Sequence, residues 1–342
     1  GPLICAIAAG NAAIVKPSEL SPACTDVLGR IIAEVFVPAE VAFFAGGPDV
    51  STALLDLPFD HIFFTGSPAI GKIVMAAAAK HLASVTLELG GKSPVIVDET
   101  ANVKKAARSI MWGKFLNCGQ TCIAPDYLFV HEKILPVFMA EAKAAIADMF
   151  GADAKASPDY CRIINGRHFA RVARLLDDAT SHGARQAVGS LRDEAETFIG
   201  PTLLTDVDMN SAVMQEEIFG PLLPIVSYRD LGKAIGYIND NPKPLALYVY
   251  AGDQKQIDRV LQETSSGGAC VNMSMLHFSH NNLPFGGVNN SGVGSSHGVY
   301  GFRAFSHERA VLRDKMSVIP MLYPPYTRRV RQMIKMTMTY FT

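Results

Sequence analysis

The chain has 342 residues, 49% of them apolar and 18% charged, enough to bury a large core and to divide into two or more domains. Its 31 basic and 32 acidic residues leave a formal net charge of −1, which excludes a general attraction to nucleic acid or acidic membranes. Six cysteines without framework spacing point to a reducing, cytoplasmic compartment, and no uncharged apolar run reaches the ~18 residues that a membrane span needs.

The first ten residues, Gly1-Pro2-Leu3-Ile4-Cys5-Ala6-Ile7-Ala8-Ala9-Gly10, read as the back half of a helix closed by Gly10. They lack an initiator Met, so the chain is expected to be N-terminally truncated, with any targeting peptide upstream. Strands are predicted at 12–15, 41–45, 61–65 and 85–89. Between them, Ser21-Pro22 and Ser67-Pro68 each combine an N-cap residue with Pro at the first helical position, and open helices toward Phe36 and Lys80. Residues 1–90 therefore read as a parallel, helix-covered sheet.

A second α/β series occupies 91–290: helices 102–115, 135–149, 167–181, 231–239 and 254–263, with strands 127–131, 222–228, 246–250 and 269–272. Glycine-rich stretches at 284–287 and 290–294 break the alternation. The remainder, 291–342, carries one late strand at 309–313 and a tail from Arg328 that mixes basic and apolar residues. That tail reads as an amphipathic helix lying on a membrane, as a helix covering a site, or as a disordered end, with the last two favoured.

Two motifs carry chemistry. Asn117-Cys118-Gly119-Gln120-Thr121-Cys122 sets a thiol in a small polar turn, and Leu87-Glu88-Leu89-Gly90-Gly91-Lys92 sets a carboxylate on an apolar strand running into glycines. A thiolate at Cys122 is a nucleophile, and a partly desolvated Glu88 is a general base near neutral pH. Either residue alone reads equally as core packing or a salt-bridge partner. Cys118 and Cys122 as zinc ligands find no second close pair of Cys or His, so no metal site is expected. Gly66-Ser67-Pro68-Ala69-Ile70-Gly71-Lys72 follows a strand and opens a helix, where free N–H groups can meet a phosphate. It is not an NTPase loop, because Ile73 stands where a hydroxyl must hold magnesium.

The Glu88 and Cys122 motifs, in this order, resemble those of the aldehyde dehydrogenase superfamily. The resemblance extends over almost the whole chain and implies a Rossmann-type cofactor domain at 1–90, incomplete at its N-terminus. It also implies an α/β catalytic domain at 91–290 and an oligomerisation strand and tail at 291–342. In such enzymes the cysteine adds to an aldehyde, hydride leaves to the nicotinamide, and the glutamate activates water to hydrolyse the thioester. The cofactor implied is NAD, with NADP admitted: Gly66, Ser67 and Gly71 form the cofactor loop, Lys16 and Glu19 meet the adenosine ribose, and Glu217 and Phe219 meet the nicotinamide ribose. Glu19 should repel a 2′-phosphate and so favour NAD.

Gly119 to Tyr127, Leu283 to Gly287, Phe305-Ser306-His307 and Tyr323 to Tyr326 resemble the class 3 branch of fatty, aromatic and coniferyl aldehyde dehydrogenases. This implies an apolar aldehyde as substrate, with Trp112, Phe115 and Phe285 along its tunnel, core packing being at least an equal reading of Trp112 and Phe115, and a homodimer for the full-length protein. Cys118 departs from the Ser or Ala expected there and opens the option of an inactivating disulfide with Cys122. The family's oxyanion Asn lies in an N-x-P segment upstream of the glutamate motif, which these residues do not include, so an inactive truncated scaffold is one alternative reading. An acylating, coenzyme A-dependent relative is a second, and a cofactor-free thiol hydrolase a third.

Overall fold

Strands rich in Val, Ile, Leu and Tyr build the central sheet of the computed structural model, which describes residues 1–189, 191–317 and 319–341. The strand order is Gly268–Val271, Ala246–Tyr250, Pro94–Val97, Tyr127–His131, Leu222–Tyr228, Thr202–Thr205 and Arg185–Val188, parallel except for the last pair. Every residue of Pro94–Val97, Tyr127–His131 and Ala246–Tyr250 is buried. Such continuous apolar strands belong in a sheet covered on both faces. The helices Val103–Phe115 and Leu135–Phe150 each bury one stripe, Ala106, Ala107, Ile110 and Met111 on the first and Phe138, Ala142, Ala145 and Ile146 on the second. Each fully buried Ile or Phe contributes about 1.5–3 kcal/mol of apolar burial.

Strands 127–131, 222–228 and 246–250 and helix 254–263 end where the sequence pattern ends them. Pro94–Val97 is a strand the pattern missed, although it sits in the middle of the sheet.

The first 90 residues form parallel pairs, but in two sheets rather than one. Ala13–Val15 pairs with Val41–Phe43, and His61–Gly66 pairs with Ser84–Leu89. The shorter pair is cut off by Pro17, which has no N–H, and by the Gly46-Gly47 turn. The core on Ser84–Leu89 is small, built on Val74, Leu87 and Leu89, and Val27, Ile31, Val35 and Ile73 remain exposed. Ser84–Leu89 and Pro94–Val97, on either side of residue 90, are strands of different sheets, yet both lie within one compact unit. Gly292–Val293 returns to the first region and pairs antiparallel with Glu88 and Leu87.

The chain forms two compact units, Gly1–Ser306 and His307–Thr342. The second holds a short turn of helix, Ile319–Leu322, and the helix Arg328–Phe341, so the tail is helical rather than disordered. The strand expected at 309–313 is irregular chain instead. Its β-branched and charged composition suits a ladder, but no ladder among the described residues includes it, and an unpaired strand has no hydrogen bonds to hold it. No helix among the described residues is long and apolar enough to cross a membrane.

Candidate active site

Glu88 lies on the central strand of the three-stranded sheet, opposite Thr65 on one side and Gly292 on the other. Its carboxylate accepts a hydrogen bond from the Ser296 hydroxyl. Burial pushes the Glu88 carboxyl above its ordinary value, and the Ser296 bond opposes that rise.

Cys122 follows a turn that only unusual backbone allows. Asn117, Cys118 and Gly119 take φ of 50°, 56° and 72°, three left-handed residues in succession. Gly119 is also required by space, since a Cβ there would lie 2.2 Å from the carbonyl oxygen of Gly220. Gln120 fastens the turn: its Nε2 donates to the carbonyls of Asn117 at 3.1 Å and Arg162 at 3.0 Å, and its Oε1 accepts from the Ile164 N–H at 2.9 Å. The half-buried Cys122 thiol is pushed up to about 11, first by burial and then by the carboxylates of Glu217 and Glu88, while the N–H groups of Cys122 and Ile123 favour the thiolate. The Cys122 thiol thus feels the charges of both Glu217 and Glu88. Cys118 is fully buried with its thiol on the Tyr160 hydroxyl at 3.5 Å, and burial raises it to about 11. All six cysteines are free, so the optional Cys118–Cys122 disulfide is not formed.

The Glu217 carboxylate rests against Gly90, where a Cβ would lie 2.1 Å from Oε2, and it accepts from the Gly91 N–H. Burial and then Asp126 push it up to about 7. Its turn is held from two sides. Arg171 donates to the carbonyls of Glu217 at 3.1 Å and Ile218 at 2.7 Å, and the Ile218 N–H donates to Asp126 Oδ2 at 2.9 Å. Lys92 pairs with the other Asp126 oxygen and donates to the carbonyls of Val213 at 2.8 Å and Glu216 at 2.9 Å. Phe219 ends this turn, partly exposed, with φ of 42°. Lys114 is buried nearby, its ammonium lowered to about 8 by burial and supported by Asp126.

At the loop after His61–Gly66, Ser67 caps the helix Pro68–Ala79 by accepting from the Ile70 N–H at 3.5 Å. A Cβ at Gly66 would lie 2.5 Å from the Phe64 ring. Gly71 serves packing, because a Cβ there would lie 2.7 Å from Leu89 on the Glu88 strand. Lys16 and Glu19 meet each other at 3.3 Å, and backbone N–H donation with that Lys16 bond holds the Glu19 carboxyl below its ordinary value.

Of the three residues expected along a substrate tunnel, only Trp112 presents ring surface, at 40% exposure. Phe115 is 1% exposed and packs edge to face on Phe150, and Phe285 is 3% exposed beneath Phe278 and His297. Both are core side chains here, because an aromatic ring on the inner stripe of a helix or under two other rings gains most by full burial. No group of metal-ligating side chains assembles among the described residues.

Local sequence assigns no role to Ser296, Lys92, Asp126, Arg171, Gln120 or Lys114. Lys92, Gln120 and Asp126 stand inside the two chemical motifs and their flanks, and a lysine on the inner stripe of 103–115 is the one signal for Lys114. Ser296 and Arg171 give none, since their contacts join segments far apart in sequence.

A sequence model described as "Aldehyde dehydrogenase family" matches residues 1–311. "Aldehyde dehydrogenase family 3 member A2" of Rattus norvegicus is 51% identical over 327 residues, covering 95% of this chain and 66% of the relative. "Aldehyde dehydrogenase, dimeric NADP-preferring" of Mus musculus is 50% identical over 311 residues, covering 91% of this chain and 68% of the relative. Among solved structures, the substrate-bound state of Staphylococcus aureus AldH superposes with a TM-score of 0.92 at 45% identity, covering 100% of this chain and 73% of that one. The chain thus spans about two thirds of the length of these relatives, and it belongs to the aldehyde dehydrogenase family.

Proposed function

We propose that this chain carries the catalytic centre of an NAD(P)-dependent oxidation of an aldehyde to a carboxylic acid, with Cys122 as nucleophile and Glu88 as the base for the second half-reaction. The observation that carries this reading is that both motifs run into one turn: Gly90, two residues after Glu88, packs against the Glu217 carboxylate, and Gly119, three before Cys122, packs against the Gly220 carbonyl. The Cys122 thiol gives up its proton to solvent and the sulfur adds to the aldehyde carbon as the C=O bond opens to an alkoxide, for whose negative charge the N–H groups beside the sulfur are donors. Glu88 then takes a proton from water as the water oxygen adds to the thioester carbon. The C–S bond breaks, and Cys122 leaves as thiolate. A carboxylate built for this purpose favours hydrolysis over transfer to coenzyme A.

The residues fit a nicotinamide dinucleotide. The Gly66–Ser67 turn leads into the N-terminus of the helix Pro68–Ala79, which suits a phosphate, and Lys16 with Glu19 offers a donor and an acceptor to a ribose. A bound nicotinamide would supply the hydride acceptor that oxidation of an aldehyde to the acid level requires. Glu217 and Phe219 would hold its ribose. Glu19 favours NAD, while the mouse relative is named NADP-preferring, so both coenzymes belong in the assay.

An apolar aldehyde fits the exposed Trp112, with exposed Leu276 and Phe278 on the segment that packs against the same helix at Gly113. A homodimer is the assembly proposed for the longer protein, as in the name of the mouse relative. Six free thiols suit a reducing, cytoplasmic setting. The test is reduction of NAD and NADP with a medium-chain and an aromatic aldehyde, beside Cys122→Ala. Coenzyme reduction lost in Cys122→Ala supports the reading, and equal reduction by both forms contradicts it.

A further inference from the structure

We propose that Ser296 is a positioning residue for Glu88, a hydroxyl that holds the base in place and hands its own hydrogen between two acceptors as Glu88 changes charge. The inference rests on the reading of Glu88 as the water-activating base.

Ser296 is buried, 5% exposed, and its Oγ faces two oxygens at once. One is Glu88 Oε1, and the other is the carbonyl oxygen of Phe285 at 3.2 Å. A serine hydroxyl has one hydrogen and two lone pairs, so it serves only one of these acceptors at a time. With Glu88 ionised, the hydrogen belongs on the carboxylate, where a charge-assisted bond is the stronger of the two. Once Glu88 has taken the proton of the attacking water, it becomes a donor. Ser296 Oγ then accepts from the Glu88 acid and turns its own hydrogen to Phe285. Neither charge state leaves a buried polar group unpaired, which would cost about 1–3 kcal/mol.

The backbone holds Ser296 where this exchange needs it. Its N–H donates to the Phe285 carbonyl at 2.6 Å, and the Phe285 N–H donates back at 3.2 Å. The Phe285 ring stacks on His297 with centroids 5.0 Å apart. A Cβ at Gly286 would lie 2.2 Å from the Gly294 carbonyl oxygen, so the two arms of this loop close tightly only with glycine. The loop is tied to the catalytic strand by the Gly292–Glu88 pairing and by the Leu89 N–H donating to Ser291 at 3.0 Å. Thr65 and Gly292, which flank Glu88 in the sheet, carry no charge. Among the described residues, the Cys122 thiol is the titratable group that shares its electrostatic surroundings, with Glu217 acting on the same thiol.

The test uses p-nitrophenyl acetate, an activated ester that acylates a thiol without coenzyme. The initial burst of p-nitrophenolate counts acylated sites, and the steady rate per burst site reports thioester hydrolysis independently of how much protein is folded. Ser296→Ala is expected to slow that rate by roughly tenfold, as loss of one hydrogen bond to a charged group does. It should also move the acid limb of the pH profile upward, because the lost bond stabilised the carboxylate. Ser296→Thr, which keeps the hydroxyl, is expected to restore both. A wild-type rate and acid limb in Ser296→Ala would overturn the role of Ser296. A wild-type rate in Glu88→Gln would instead overturn the reading of Glu88 as base, so the two failures are separable.

Discussion

Asp126 and Ile218 lie 92 positions apart, yet the Ile218 N–H donates to Asp126 Oδ2 at 2.9 Å while Lys92 holds the other oxygen. One buried carboxylate thus ties together the segment after Glu88, the segment after Cys122 and the turn of Glu217. Asp126→Ala would leave the part-buried Lys92 without its carboxylate partner, and removing one member of a fully buried pair costs about 3–5 kcal/mol, an upper bound for this one. Urea unfolding is expected to show a lower midpoint of up to that order, against a much smaller loss for the exposed pair partner Asp148→Ala.

Gly119→Ala should damage the nucleophile turn from two causes. Its φ of 72° is strained for any residue with a Cβ, and that Cβ would meet the Gly220 carbonyl oxygen at 2.2 Å. Strain of this kind costs about 1–2 kcal/mol before the clash is counted. The expected outcome is a lower melting temperature together with altered alkylation of Cys122 by iodoacetamide. A wild-type melting temperature would show that the backbone can avoid the Gly220 carbonyl.

Alkylation of Cys122 should be slow at neutral pH and rise through the alkaline range, since its thiol is pushed up to about 11. The Glu217 carboxylate is the leading charged contributor to that rise, so Glu217→Gln should lower the thiol value and speed alkylation near pH 8. Mass spectrometry of the Cys122 peptide reads the rate directly, and an unchanged rate in Glu217→Gln would count against the shared site.

Stability should also carry the signature of Glu217. Its carboxyl is raised from 4.5 to about 7 in the folded chain, so the folded state binds more protons than the unfolded state between those values. The Glu217 contribution is therefore fully present below about pH 4.5 and lost as pH rises through 7. Glu217→Gln should flatten the fall in stability across that window, measured as urea midpoints at stepwise pH.

The sequence made the central sheet legible where apolar runs were long. Tyr127–His131, Leu222–Tyr228 and Ala246–Tyr250 are dense in Leu, Val, Ile, Phe and Tyr and stop at Glu132, Arg229 and Ala251-Gly252, so pattern and structure agree to the residue. Pro94–Val97 escaped because four residues behind a glycine pair give no period to read. The irregular chain at 309–313 misled in the opposite direction, since strand composition cannot supply a neighbour. In the site, the motif residues Glu88 and Cys122 were visible because their types and spacing carry chemistry. Ser296, Arg171 and Asp126 act through contacts spanning 208, 46 and 92 positions, which local sequence does not encode. Burial settles Phe115 on the core reading that its sequence position equally allowed, and Phe285, expected in a tunnel by resemblance, is core beneath Phe278 and His297.

The central claim, that Cys122 forms an acyl intermediate which Glu88 helps to hydrolyse, is tested most directly by peptide mapping after exposure to p-nitrophenyl acetate. The expected result is an acetyl group that accumulates on Cys122 in Glu88→Gln and turns over in the unmodified sequence. Acetylation confined to the exposed Cys24 and Cys161, or equal turnover on Cys122 in both forms, would contradict it.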